Sequence, residues 1–358
     1  MSESVASVDG LPAEARAWLA QAEREEFQLG AGWFSVVAAH ARPPGGAVVF
    51  LLHRENGHLR VVLPLWRHPD GTRSGLTAPY SCVFRPLVAE GADGAALARA
   101  GLAFGRAVRG GGTLRLDALD PEWPGLAPLL AGFRAAGLLP LRFAHFGAWW
   151  ADLTGQNWDT YLAGRPGALR ETIRRRLARA ERDAALRFEL IGGGDRLAAG
   201  IAAYQQVQAG SWKPAEPFAD FVPALLPVAA AAGVLRLGLL WRDGVPVAAQ
   251  YWTVTAGTAR LDKLVHDAAE HRAAPGTVLT AWMLRHLLTR ERLGRIDFGR
   301  GDDAYKAGWT GQRRQRIGVL LCAPWHPAGL YQLGRHLAGR ARAAWRGVGD
   351  GKRTGGTA

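Results

Sequence analysis

Apolar positions along this chain switch between a helical period and strict alternation, and they do so twice in the same order. Ala13 to Phe27 has helical spacing, and Val48 to Arg54 and Leu59 to Trp66 read as two strands about an Asn56-Gly57 turn. A helix (Ala95 to Val108), a strand (Thr113 to Asp117), a helix (Leu126 to Ala136) and a strand pair within Leu141 to Asp152 follow. The later part begins with a strand (Arg187 to Ile191), a helix from Arg196 to Gln208 that Asp195 can cap, and a second helix (Phe218 to Ala232). Val234 to Trp241 and Val245 to Thr255 then flank an Asp243-Gly244 turn, and LLWRDGVPVAAQYW at Leu239 to Trp252 matches the first hairpin, LLHRENGHLRVVLPLW at Leu51 to Trp66. Strand (Thr258 to His266), helix (Val278 to Arg290) and short strand complete the copy. This order predicts an α/β protein made by tandem duplication, with mixed sheets flanked by helices.

The expected domains are 1–155, a basic helical linker at 156–186, a second α/β domain at 187–325, and a basic helix with a Gly-rich tail at 326–358. A length of 358 residues suits two domains, and 48% apolar against 21% charged residues excludes a disordered chain. The two cysteines, Cys82 and Cys322, match no metal or redox spacing, so no metal is expected, and a reducing, cytoplasmic setting is. The start is polar and acidic, unlike a secretory signal. Phe221 to Leu235, the most apolar stretch, is broken by Pro223 and Pro227, whereas a spanning helix needs about 20 apolar residues.

Net charge is +13, which suits a phosphorylated substrate, a nucleic acid or an anionic lipid surface. Nearly all of it is arginine; Lys213, Lys263, Lys306 and Lys352 are the only lysines, and a titratable amine kept amid so much arginine is informative. Ala168 to Arg187 sets Ile173, Leu177, Ala180 and Ala184 at helical spacing among arginines, a face for phosphates or RNA or a solvated surface. In the tail, Leu330, Leu333, Leu337 and Ala341 share one side with Arg335, Arg340, Arg342 and Arg346 around them; this helix lies on an anionic membrane or packs against the body.

Two segments carry candidate chemistry. In IDFGRGDDAYKAGW, Ile296 to Trp309, a short strand enters a glycine turn with Asp302 and Asp303, then Tyr305 and Lys306. A phenol there can protonate a leaving thiolate and an ammonium can neutralise charge or bind an acceptor, with Asp302 and Asp303 orienting it. Upstream, Pro275, Gly276 and Thr277 stand where a strand meets a helix; they offer free amides to an anion, or are turn residues with Thr277 as cap. In Thr258 to Asp267 alternation places Arg260, Asp262, Leu264 and His266 on one face and Leu261, Lys263, Val265 and Asp267 on the other. Asp262 or His266 is thus a candidate general base, or the two form a structural pair.

PGT followed by FGRGDDAYKAGW, after a hairpin and a long strand, resembles the GNAT acyltransferase superfamily, and more closely its tandem branch of CelD-like acetyltransferases and Fem-type aminoacyl transferases. The likeness is specific over about Ala168 to Pro324 and architectural before that. It implies an acyl-CoA donor, acetyl-CoA foremost, whose pyrophosphate sits on Arg272 to Thr277, although Pro275 replaces the usual first glycine and removes one donor. It also implies a backbone N–H for the thioester carbonyl on the strand after the hairpin, near Gln250, Tyr251, Trp252 and Thr253, with acceptor contacts at Ser211, Trp212, Lys213 and Lys263 and a functional lysine at Lys306. The expected reaction moves an acyl group to an amine or hydroxyl of a saccharide, lipid-linked or amine acceptor of the cell envelope. The other implied readings are aminoacyl transfer from tRNA to a peptidoglycan precursor and a non-catalytic scaffold in a polysaccharide complex.

Overall fold

The computed structural model describes residues 3–350, with side chains through residue 339. The first part runs β1 (Glu3–Val5), α1 (Ala13–Glu25), α2 (Ala31–His40), β2 (Ala47–Glu55), β3 (His58–Arg67), β4 (Arg73–Gly75), β5 (Leu87–Val88), α3 (Gly94–Val108), β6 (Thr113–Leu119), α4 (Leu126–Ala135) and β7 (Leu139–Asp152). The second runs α5 (Trp158–Ala163), α6 (Gly167–Arg182), β8 (Leu186–Ile191), α7 (Leu197–Ala209), α8 (Phe221–Ala231), β9 (Leu235–Arg242), β10 (Val245–Thr255), β11 (Thr258–His266), α9 (Pro275–Arg290), β12 (Arg295–Arg300), α10 (Ala304–Thr310), β13 (Gln312–Cys322) and α11 (Pro327–Asp350). The α/β units are as the alternation predicts.

Their sheets are not separate. All strands among the described residues join one 13-stranded sheet, ordered β1-β2-β3-β4-β6-β13-β7-β12-β11-β10-β9-β8, with β5 beside β3. β7 is one long strand rather than a pair, and it borders β12 on one side and β13 on the other. β13, from the far end of the second part, lies antiparallel between β6 and β7 of the first. Its alternation is blurred by Arg313, Arg314 and Arg316, so the sequence reading leaves it out.

Both hairpins form as expected, with Asn56 and Asp243 in the left-handed region followed by glycines at positive φ. Leu235, Leu237 and Leu239 of β9 face one core layer with α7 and α8, while Leu240, Ala248 and Trp252 face another with α6 and α9. Asp195 does not cap α7; Arg196 occupies that place and makes no side-chain cap.

α3 and α4 touch through glycines. A Cβ on Gly132 would overlap the Ala98 carbonyl and one on Gly101 the Leu129 carbonyl. Gly132→Ala should therefore destabilise the protein by about 1–3 kcal/mol, the usual cost of overpacking. The expected sign in urea is a lower midpoint at an unchanged slope.

Candidate functional site

β11 pairs in parallel with β12 through Thr258↔Arg295, Ala259↔Ile296 and Arg260↔Asp297, and the ladder stops there. Gly299, at φ 63°, keeps the strands close one step further, since a Cβ there would come 2.6 Å from the Leu261 carbonyl. Beyond it, β11 is free on that edge until the segment after α7 crosses its end and Ser211 bridges Asp267. The strands therefore part, leaving backbone groups of the end of β11 without a strand partner on that side.

Three of the four lysines gather at this opening. Lys213 Nζ donates to the Leu264 carbonyl (2.5 Å), and Lys263 Nζ pairs with Glu216 (2.6 Å) and stands 4.8 Å above the Tyr80 ring. Burial, then the charge of Lys263, lowers the pKa of Lys213, with Lys306 adding to the effect and Asp303 opposing it. Lys306 is 4% exposed; its Nζ donates to the Arg300 carbonyl (2.7 Å) and meets Asp303 at 3.1 Å. Tyr305 is 45% exposed and edge-on to Phe298; partial desolvation and the charge of Asp303 raise its pKa, so it holds its proton at neutral pH.

On the α9 side, Ala274 takes the left-handed conformation and Pro275 starts the helix, so Ala274, not Thr277, holds the cap position. The amides of Gly276 and Thr277 have no intrahelical partner, and the helix dipole adds positive potential there. Gly276 packs on β11, where a Cβ would lie 3.4 Å from the side chains of Leu264 and His266. Leu264 thus borders the phosphate-loop candidate with its side chain and holds Lys213 with its carbonyl. Next to the loop, α6 and α9 enclose a cavity of about 450 Å³ lined by Arg175, Arg176, Arg179, Arg242 and Arg272, with Asp183 and Glu270 paired to Arg242. Arg176 Nη1 also donates to the Arg272 carbonyl (3.2 Å), tying the basic helix to the loop.

Several expectations are corrected. β10 is paired on both sides, with β9 and with β11, so the backbone of Gln250 to Thr253 has no free edge for a carbonyl. Gln250, Tyr251 and Trp252 are buried instead. The Gln250 amide donates to the Gly276 carbonyl (3.2 Å) and to Thr280 (2.7 Å), holding the loop from beneath, and Trp252 donates to Gln250 (2.9 Å). Asp262 and His266 do not share a face. Tyr251 pairs with Lys263 and Trp252 with Leu261, making Asp262 the extra residue of a bulge, and one extra residue reverses the alternation. Asp262 meets Thr253 (2.7 Å) and Gln28 (3.1 Å), whereas His266 lies toward Gly276, Trp212 and His271. Asp302 makes a two-pronged pair with Arg313 (2.6 and 2.7 Å), which lowers its pKa; Asp303 alone meets Lys306.

Burial pushes the Asp262 carboxyl up to about 7, with Glu26 and Asp297 adding to the effect against Arg260. Beneath it runs a charge network joining the two parts of the chain. Arg260 pairs with Glu26 through both terminal nitrogens (2.6 and 2.5 Å) and approaches Asp297 (3.9 Å), which also holds Arg314. Sequence reasoning missed Glu26, Gln28, Tyr80 and Glu216, which carry no local motif. Among the described residues no group of His, Cys, Asp or Glu has the makings of a metal site.

The profile of the family described as acetyltransferase (GNAT) domain matches residues 167–307. Over those residues the second part of this chain matches a GNAT domain. With the first part repeating its order, the whole has a tandem-GNAT fold. No curated protein matches in sequence. Among solved structures the chain resembles FemX, at 10% identity and TM-score 0.60 over 92% of this chain and 99% of that one. L-PGS from Bacillus licheniformis is similar at 11% identity and TM-score 0.55, over 94% and 98%. The C-terminal domain of a protein provisionally described as lysylphosphatidylglycerol synthetase from Agrobacterium fabrum matches at 18% and 0.51, over 79% and 87%. At such identities the likeness is one of fold.

Proposed function

We propose that the GNAT domain transfers an acyl group, acetyl foremost, from acyl-CoA to an amine or hydroxyl of an envelope-related saccharide, lipid-linked or amine acceptor. The observation that carries this reading is the α9 N-terminus with its arginine-lined cavity, set against the same end of β11 that holds Lys213. A pyrophosphate on the Gly276 and Thr277 amides, steadied by Arg272 and Arg179, directs its thioester arm into the gap beside β11. Backbone N–H groups of β11 beyond Asp262 then receive the carbonyl oxygen, in place of those on β10.

The acceptor nitrogen or oxygen attacks the thioester carbon, its proton passes to Asp262 or His266, the C–S bond breaks, and Tyr305 protonates the departing thiolate. Lys306 neutralises charge as the oxyanion forms. A donor fixed at that position is worth about 3 kcal/mol. Since Asp262 works as a base only when ionised, kcat/KM should rise with pH through about 7. Asp262→Asn should abolish that limb, while an unchanged profile would assign the proton to His266.

Isothermal titration tests the donor. Acetyl-CoA should bind, and Arg179→Ala with Arg272→Ala should raise Kd by about tenfold, or 1.4 kcal/mol. No heat at millimolar acetyl-CoA removes the acyl-CoA reading. Aminoacyl transfer from tRNA is the second reading, favoured by Arg174, Arg175, Arg179 and Arg182, which stay exposed along α6. It requires tRNA affinity that falls steeply with salt.

A further inference from the structure

α11 leaves the body of the protein almost as soon as it begins. Its first turn is seated, with Gly329 so close to the chain that a Cβ would overlap the Ala323 carbonyl. From the next residue most of its large apolar side chains are open: Leu330 is 54%, Tyr331 63% and Leu337 66% exposed, with Leu333 half-buried between them, and Trp325 just before the helix is 53% exposed. Half of the large hydrophobic side chains exposed among the described residues fall within these thirteen positions. Single exposed leucines are ordinary, whereas a contiguous set on one element marks an interface.

Leu330 and Leu337 are seven residues apart, two helical turns, so they share a stripe. In sequence the same spacing recurs at Ala341, Trp345 and Val348, with arginines at 335, 340, 342 and 346 between them. From Trp325 to the end the chain has six Lys and Arg residues against one acid, Asp350. Leucines with arginines between them and aromatic residues beside them match the composition of a helix lying in a membrane interface. A helix pairing with a second copy of itself would place this concentrated positive charge against its like. No helix among the described residues is long and apolar enough to cross a membrane, so the contact is with the surface.

We infer that α11 docks the protein on an anionic lipid surface, with Leu330, Tyr331, Leu337 and Trp325 entering the interface and the arginines meeting lipid headgroups. The full chain should sediment with phosphatidylglycerol/phosphatidylcholine vesicles at least tenfold more strongly than with phosphatidylcholine alone, and raised salt should weaken it. Leu330→Glu with Leu337→Glu should lower that binding at least tenfold while leaving the thermal midpoint unchanged, because both side chains are already in solvent. Equal sedimentation of the two proteins, or none with the anionic vesicles, overturns the inference. So does a concentration-dependent dimer in analytical ultracentrifugation that the double variant dissolves, which would give the stripe to self-association.

Discussion

Lys306→Ala should lower the transfer rate by about 100-fold to 1,000-fold, the loss seen when one charge-stabilising donor is removed from a transition state. The magnitude follows from where the ammonium sits. It is nearly enclosed, its position is fixed by the Arg300 and Gly301 carbonyls, and its nearest counter-charge, Asp303, is largely solvent-exposed and screened. A cation held in a desolvated site acts more strongly on developing charge than one in water. Donor affinity should change little, because the phosphate end rests on α9 and α6, so kcat falls while the Kd for acetyl-CoA stays within about a factor of a few. Lys306→Arg keeps the charge but not the fit, and it should recover only part of the rate. A Lys306→Ala protein that folds, binds donor and transfers at the wild-type rate would make Lys306 structural, and one that retains its cellular role without any transfer would favour the scaffold reading.

Arg260→Met should be the most destabilising single change at the junction, by about 3–5 kcal/mol, since it leaves buried carboxylates without their partner. Burial alone would raise Glu26 and Asp297; the charge of Arg260, joined at Glu26 by its hydrogen bonds and the Gln28 amide and at Asp297 by Arg314 and the Gly299 amide, more than offsets it and leaves both carboxyls below their usual range. Without Arg260 both acids must take up a proton or stay ionised in a poor solvent, so the loss should grow as pH rises from the ordinary carboxylate range toward their new, higher pKa values and level off above them. Glu26 comes from the segment after α1 and Asp297 from β12, so Arg260 couples the first part of the chain to the GNAT domain. Urea unfolding at two pH values measures this. A midpoint close to wild type at both would mean that the network contributes little and that the shared sheet alone holds the halves together.

The sequence revealed elements whose periodicity was clean and hid those whose role depends on distant partners. The hairpins at Asn56-Gly57 and Asp243-Gly244 were legible because the turn chemistry is local, and the rarity of lysine pointed to Lys213, Lys263 and Lys306, which do converge. The bulge at Asp262 was not legible, because one extra residue in a strand leaves no compositional mark, yet it sends Asp262 and His266 to opposite faces. β13 was missed because its alternate positions carry arginines, and those arginines answer Asp297, Asp120 and Asp302 from other elements. The resemblance implies a donor contact at Gln250; its buried amide serves the loop instead, a contact 26 residues away in sequence. The arginines of α6 could be read as a solvated face or a phosphate site, and only packing against α9 brings three of them to a cavity.

Hydrogen exchange with and without acetyl-CoA tests the central claim most directly, because it reports which amides the donor covers. Slowed exchange is expected at residues 263–268 of β11 and its exit, at 275–278 of α9, and at 301–306 around Lys306, with no change in α3 and α4. Binding with unchanged exchange at those three segments, or protection confined to the first part of the chain, would contradict it.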